Sequence, residues 1–170
     1  SKKNKYNYII LRYFNVVGAE EKIQSGPLIR GSLFKELSTN IVNKKFCINI
    51  FGKNFKTSDG YARRDFIDVN DLVDLHLLAS KKFYKKNLIL NLGYGLTYSV
   101  KQIVDIFSKL IGKTIVVKIK QTRKGDISSI FSDTKKLRRC FPNWKRKFTI
   151  SESIKNSLRW EKKQSKLFNR

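Results

Sequence analysis

The chain is short of several residue types, and each shortage closes a route. Among 170 residues there is no methionine and one histidine, His76. The two cysteines, Cys47 and Cys140, are too few and too far apart for a zinc site or a disulfide framework. They read as reduced, partly buried thiols. His76 has no Cys, Asp or His at ligand spacing on its helical face, so it reads as structural and no metal site is expected. No apolar run approaches the roughly eighteen residues of a membrane helix. The opening Ser1-Lys2-Lys3-Asn4-Lys5 does not lead into a signal-peptide core. A cytoplasmic protein with no membrane partner is expected.

Acidic residues are also scarce, 13 against 37 Lys and Arg, for a formal charge of +24. Such an excess is compatible with a nucleic-acid partner, because cations release counterions from phosphate backbones. The cations are scattered in small groups such as Lys44-Lys45, Lys85-Lys86 and Lys135-Lys136, and no nucleic-acid motif accompanies them. Together with the abundant Asn, Ile and Phe, they suggest the codon usage of an AT-rich genome. Nucleic acid is therefore not the expected main partner, and a basic nucleic-acid-binding module stands as an alternative.

What is present is enough for one ordinary core: the chain is 41% hydrophobic. Ile9-Ile10-Leu11-Arg12-Tyr13-Phe14 has the continuous apolar pattern of a strand buried on both faces of a parallel sheet, and Asn15 falls at its carboxyl end. Asn15 there is either a ligand contact or a turn residue satisfying its own loop. A helix is expected over 28–42, a strand over 46–51 and a helix over 71–83 with Leu72, Leu75, Leu78 and Ala79 inward. Leu88-Ile89-Leu90-Asn91-Leu92 reads as another buried strand. Ser99 and Gln102 form a capping box that opens a helix with Val100, Ile103, Val104, Phe107 and Ile111 on one stripe, closed by Gly112. A strand over 115–119 follows, and Thr149 and Glu152 cap a final helix reaching about residue 163 with a frayed tail.

The most informative stretch runs from Ile50-Phe51-Gly52 through Arg63-Arg64-Asp65-Phe66-Ile67-Asp68-Val69-Asn70-Asp71. It reads as a strand, a polar Gly-bearing loop, a second strand, and Asn70 at a helix N-cap. Such a loop offers an aromatic face at Phe51 and a forked cation at Arg64, the two groups that a ring joined to a phosphate needs. The alternatives are a core Phe51 and a surface Arg64 paired with Asp65.

This stretch resembles the segment I-F-G-x-x-Y-x-T-x-D-G-T-x-x-R-D-Y-I-H-V-x-D-L of UDP-glucose 4-epimerases, members of the extended short-chain dehydrogenase/reductases. Three further segments fall in the same order. Leu11-Arg12-Tyr13-Phe14-Asn15-Val16-Val17-Gly18-Ala19 is similar to L-R-Y-F-N-x-x-G-A, and Asn91-Leu92-Gly93-Tyr94-Gly95 to N-L-G-x-G. Arg123-Lys124-Gly125-Asp126, followed by Asp133, Lys136 and Trp144, is similar to R-x-G-D with its helix and Trp. The resemblance implies an α/β fold: the last strands of a Rossmann-type parallel sheet (8–19 and 66–98) plus the small α/β substrate-binding domain (20–65 and 99–163), with the N-terminal NAD-binding part absent.

The resemblance also implies a division of labour. Phe51 would pack on uracil, and Arg64 and Arg123 would hold the diphosphate. Asp126 would accept from the ribose hydroxyls, Asn15 would touch the diphosphate-sugar, and Leu33 would stand near the nucleotide. Tyr13 and Phe14 would lie against NAD, the implied cofactor. Implied partners are a UDP-sugar, a missing N-terminal NAD-binding half and, as an option, a second copy in a homodimer.

Departures from the family pattern are Tyr61-Ala62-Arg63, which adds a cation beside Arg64, Asp68 in place of His, and Ile130 near a usual Tyr. No G-x-G-x-x-G fingerprint and no Tyr-x-x-x-Lys pair occurs in the chain, since Tyr98 stands where the third glycine after Gly93 and Gly95 would be. The absent Met fits either a removed initiator or the C-terminal piece of a longer protein, and the motifs favour the second. Catalytic residues are thus expected elsewhere, and a truncated, non-functional remnant is the competing reading.

Overall fold

A computed structural model describes residues 6–81 and 87–168. The elements are β1 (Ile9–Tyr13), β2 (Asn15–Val17), α1 (Leu33–Val42), β3 (Cys47–Phe51), β4 (Arg63–Asp68), α2 (Val69–Lys81) and β5 (Leu88–Leu92). After them come β6 (Thr97–Ser99), α3 (Val100–Ile111), β7 (Val116–Lys120), β8 (Ser129–Ile130), α4 (Lys135–Cys140) and α5 (Ile150–Phe168). The fold is α/β, and four of its strand pairs are parallel: β1 with β5, β2 with β4, β3 with β7, and β4 with β8; β4 with β6 is antiparallel.

Strand β4 divides two cores because successive side chains of a strand point to opposite faces. Phe66 joins a cluster with Phe34, Ile103, Phe107 and Ile154, built by α1, α3 and α5. Its neighbour Ile67 joins a second cluster with Leu75, Leu90 and Leu137. In the first core the Phe34 ring stands 5.5 Å from both Phe66 and Phe107. Across the α1–α5 contact, a buried Lys35–Glu161 ion pair at 2.6 Å is joined by the Thr39 hydroxyl.

Local signals explain most element ends. The Ser99–Gln102 capping box forms, and Gly112 closes α3 at φ 65° in the left-handed region. At α5, the Thr149 N–H donates to the Glu152 carboxylate, and the Glu152 N–H donates to Thr149 Oγ1.

Several expectations need correction. Helix α1 starts at Leu33, not 28, because Ser32 caps it and Gly31 turns the chain before it at φ 123°. Helix α2 starts at Val69, and the Asp68 carboxylate, not Asn70, accepts the Asn70 N–H in the capping position. Leu78 is 38% exposed, outside the inward stripe. The expected end of this helix at Phe83 lies outside the described residues. Helix α5 continues to Phe168 instead of fraying after 163.

Strand β1 is not buried on both faces: Ile10 is 44% and Tyr13 54% exposed. Among the described residues β5 is its only strand neighbour, so its other edge is open. Asn15 does not close that strand in a turn; it begins β2 opposite Phe66.

Candidate functional site

Strand β3 delivers Phe51 to the surface and stops at Gly52, whose φ of 82° suits glycine. A Cβ there would lie 2.6 Å from both the Phe55 ring and Thr122 Oγ1. The polar loop then folds back on itself, with the Phe55 N–H donating to the Gly60 carbonyl and Thr57 Oγ1 to that of Tyr61. Asp59 pins the loop by accepting from Ser99 Oγ at 2.5 Å and from the Tyr61 N–H. Burial pushes the Asp59 carboxyl up, but the hydrogen bonds from Ser99 and Tyr61 outweigh it and leave the group below its ordinary range.

Two sequence-predicted residues meet directly. The Arg123 guanidinium carbon lies 3.8 Å from the centroid of the Phe51 ring. This stack sits on open surface: Phe51 is 37% exposed. Beyond Arg123 the chain makes a tight turn in which the Asp126 N–H donates to the Arg123 carbonyl and Gly125 takes φ 86°.

Arg64 holds the far end of the same loop. Its Nη1 donates to the Ile127 carbonyl at 2.7 Å and to the Arg63 carbonyl at 2.8 Å. Arg64 does not pair with Asp65, because adjacent strand residues face opposite ways. Arg63, the added cation, is bound to the Thr97 hydroxyl and carbonyl.

Asn15 lies opposite Phe66, so it shares a face of the β2–β4 pair with Phe66 and Arg64. Leu33 opens α1 beside Phe34 and packs on the edge of the first core. Of the sequence-predicted residues, Phe51 and Arg123 are in direct contact, Asp126 lies in the turn after Arg123, and Arg64 meets the same segment only at the Ile127 carbonyl.

Tyr13 ends β1 and Phe14 follows it. The Phe14 N–H donates to the Leu92 carbonyl. The Tyr13 hydroxyl lies 2.6 Å from His76 Nε2, and His76 Nδ1 lies 2.8 Å from the Leu72 carbonyl. A carbonyl only accepts, so Nδ1 donates to Leu72 and Nε2 shares the other hydrogen bond with the Tyr13 hydroxyl. The histidine is a structural link between β1 and α2.

Sequence reasoning passed over a trio of aspartates, Asp65, Asp68 and Asp71, all fully buried. Asp65 accepts from the backbone N–H groups of Tyr94, Gly95 and Ser132, and from Ser132 Oγ at 2.5 Å. Asp68 accepts from Ser153 Oγ and from the backbone and side chain of Asn70, while burial holds its carboxyl above the ordinary range. Asp71 accepts from the Tyr94 hydroxyl at 2.5 Å and from the Lys147 and Phe148 N–H groups. Burial first, and that bond to Asp71 second, raise the Tyr94 phenol far above its usual range. The readable signal was the regular spacing of three in Asp65-Phe66-Ile67-Asp68-Val69-Asn70-Asp71.

The residues after β5 do not fit a dinucleotide cradle. In such a turn free backbone N–H groups open onto a helix N-terminus and face the pyrophosphate. Here the Tyr94 and Gly95 N–H groups are occupied by Asp65, and the chain enters β6 before any helix.

Comparison with known proteins agrees with this architecture. The sequence pattern described as "NAD dependent epimerase/dehydratase family" matches residues 1–93, more than half of the chain. A UDP-glucose 4-epimerase of Cyamopsis tetragonoloba is 35% identical over 162 residues, covering 91% of this chain and 46% of that protein. UDP-arabinose 4-epimerase 1 of Arabidopsis thaliana is 34% identical over 174 residues, covering 95% of this chain and 40% of its own length. The crystal structure of UDP-glucose 4-epimerase from Bifidobacterium longum with NAD+ and UDP superposes with a TM-score of 0.88 at 30% identity, over 96% of this chain and 50% of that one. The chain spans about half the length of the curated relatives it matches. The fold, its four motif segments in order and these matches make the chain a member of the NAD dependent epimerase/dehydratase family.

Proposed function

We propose that the chain supplies the UDP-sugar-binding half of a UDP-glucose 4-epimerase-like enzyme, acting in the interconversion of UDP-glucose and UDP-galactose in the cytoplasm. The observation that carries this reading is the Phe51–Arg123 stack, with Arg64 gripping the other end of the same loop. An aromatic face with one guanidinium on it and a second at the other end of the adjoining segment suits a base joined to a diphosphate. Asp126, in the same turn, is the carboxylate for the ribose diol, and Asn15 with Leu33 completes the nucleotide-sugar side. Charge-assisted contacts of this kind contribute roughly 1.5–3 kcal/mol each.

In this reading the chain's own work is to hold one end of the substrate still. NAD, when bound to the whole enzyme, supplies hydride transfer at the sugar. Neither the dinucleotide fingerprint nor a Tyr-x-x-x-Lys pair lies in this sequence, and in this reading a separate NAD-binding half supplies both. The open edge of β1 and the exposed Ile10 and Tyr13 form the apolar surface that such a half would cover.

The test is reconstitution. The chain alone with NAD should not turn over UDP-galactose, whereas co-expression with a Rossmann half carrying the two missing motifs should restore turnover. Turnover by the chain alone, or an inactive but well-folded pair, would overturn the assignment.

A further inference from the structure

Seven cations fall within one stretch of the sequence, 135–147, and the fold sets that stretch beside two adjoining grooves. Helix α4 carries Lys135, Lys136, Arg138 and Arg139 within six residues. The segment after it adds Lys145, Arg146 and Lys147, and no Asp or Glu occurs anywhere from 134 to 151. The two parts border adjoining grooves. One, of about 380 Å³, is lined by Arg138, Lys145 and Arg146 with Leu96 and Trp144. The other, of about 790 Å³, runs from Lys145, Lys147 and Trp144 across to Leu77 and Lys81 of α2. Pro142, Trp144 and Lys145 belong to both.

Within the chain this charge is answered chiefly at Lys147, by Asp74, which also lines the larger groove. All 13 acidic residues lie among the described residues, and among the described cations only Lys35, Lys101 and Lys147 have a carboxylate within ion-pair distance. Three of the acids, Asp65, Asp68 and Asp71, are buried on neutral donors. Of the seven cations here, Lys147 is paired to Asp74, and Arg146 stacks 4.3 Å from the Tyr94 ring and donates to the Phe148 carbonyl. The remaining five are exposed and none is in an ion pair, although the Asp133 carboxylate accepts the Lys135 backbone N–H. Trp144, where the grooves join, keeps an indole N–H with no acceptor among the described residues.

We propose that this face binds single-stranded nucleic acid, independently of the UDP-sugar reading. The chemistry is a cationic channel that follows a phosphate backbone, with aromatic and guanidinium planes beside it on which bases stack. An acidic peptide would satisfy the cations but has no use for Trp144 or the Arg146–Tyr94 plane. A rigid duplex would not enter grooves of this size. The site is separate from the Phe51–Arg123 stack, since none of its residues belongs to 121–127 or to β3.

Fluorescence anisotropy with a labelled oligo-uridine of roughly 12 nucleotides, within the site sizes usual for such surfaces, tests this on the full chain. Replacing Lys136, Arg138, Arg139 and Lys145 together by Ala should weaken binding at least about 30-fold and lower the salt slope by nearly 3, at about 0.7 per lost phosphate contact. Replacing Lys44, Lys45, Lys118 and Lys120 instead removes equal charge and should cost less than about threefold. Equal losses in the two variants would mean diffuse attraction to a +24 protein and would overturn the proposal. So would equal competition by a poly-glutamate of matched length.

A second readout does not depend on these variants. In a Trp160→Phe chain the oligonucleotide should quench the fluorescence of Trp144, the one remaining tryptophan. Binding without quenching would rule out the groove.

Discussion

The carboxylate of Asp65 accepts the hydroxyl of Ser132 at 2.5 Å, joining positions 67 residues apart in the sequence. That bond, with three backbone N–H groups on the same carboxylate, ties β4 to the turn after β5 and to the entry of α4. It fixes the frame from which Arg64 reaches across to the Ile127 carbonyl.

The frame leaves no room at Gly93. A Cβ there would stand 2.5 Å from Ser132 Oγ and 2.6 Å from Asp65 Oδ2. Gly93→Ala should therefore destabilise the fold by about 1–3 kcal/mol, as overpacking does. In a chain of this size that is a fall in Tm of roughly 2–12 °C, which a thermal melt followed by circular dichroism would register. An unchanged Tm would mean that Asp65 and Ser132 are less closely held than described.

The Lys35–Glu161 pair gives a second test through non-additivity. Both side chains are about nine-tenths buried. Lys35→Met alone should cost about 3–5 kcal/mol in urea unfolding, because Glu161 is left charged and unpaired. Adding Glu161→Leu should recover most of that loss, since a packed apolar pair avoids the desolvation penalty. If the two losses simply add, the residues are not coupled.

Asp68 sets a pH dependence with a definite sign. Burial raises its folded-state pKa above the ordinary 3.8, so the folded chain holds this proton more tightly than the unfolded one. Its contribution to stability is full below pH 3.8 and is lost as pH rises from there through the raised folded value. Asp68→Asn removes that loss. The Tm of the variant should gain on that of the wild type as pH rises through this window, and a constant difference would contradict the assignment.

Most of the local structure was legible in the residues. The α3 capping box, the Gly112 stop and the inward stripe needed only short-range rules, and they occur where the pattern places them. Element ends set by more distant groups were not legible. Asp68 displaces Asn70 as the α2 cap because its other oxygen is fixed by Ser153 of α5. Helix α5 runs past 163 with support that comes from sequence far upstream: Trp160 Nε1 donates to the Pro27 carbonyl and Lys163 Nζ to that of Ile23.

For the candidate site, the residue types were readable and their mutual placement was not. Phe51 and Arg123 are separated by 72 positions, and only the parallel pairing of β3 with β7 brings them together. The Asp65, Asp68 and Asp71 network escaped because a buried carboxylate served by neutral donors looks, in sequence, like any surface acid.

The central claim is that Phe51 and Arg123 form one face of a UDP-binding clamp. Arg123 is the cleaner probe, because Arg64 also holds the Ile127 carbonyl and its loss would loosen the loop. Calorimetric titration of UDP into the chain should give saturable binding. Arg123→Ala should weaken it roughly 10- to 100-fold, the equivalent of one charge-assisted contact. Undiminished UDP affinity in that variant, with the wild-type fold retained, would contradict the account.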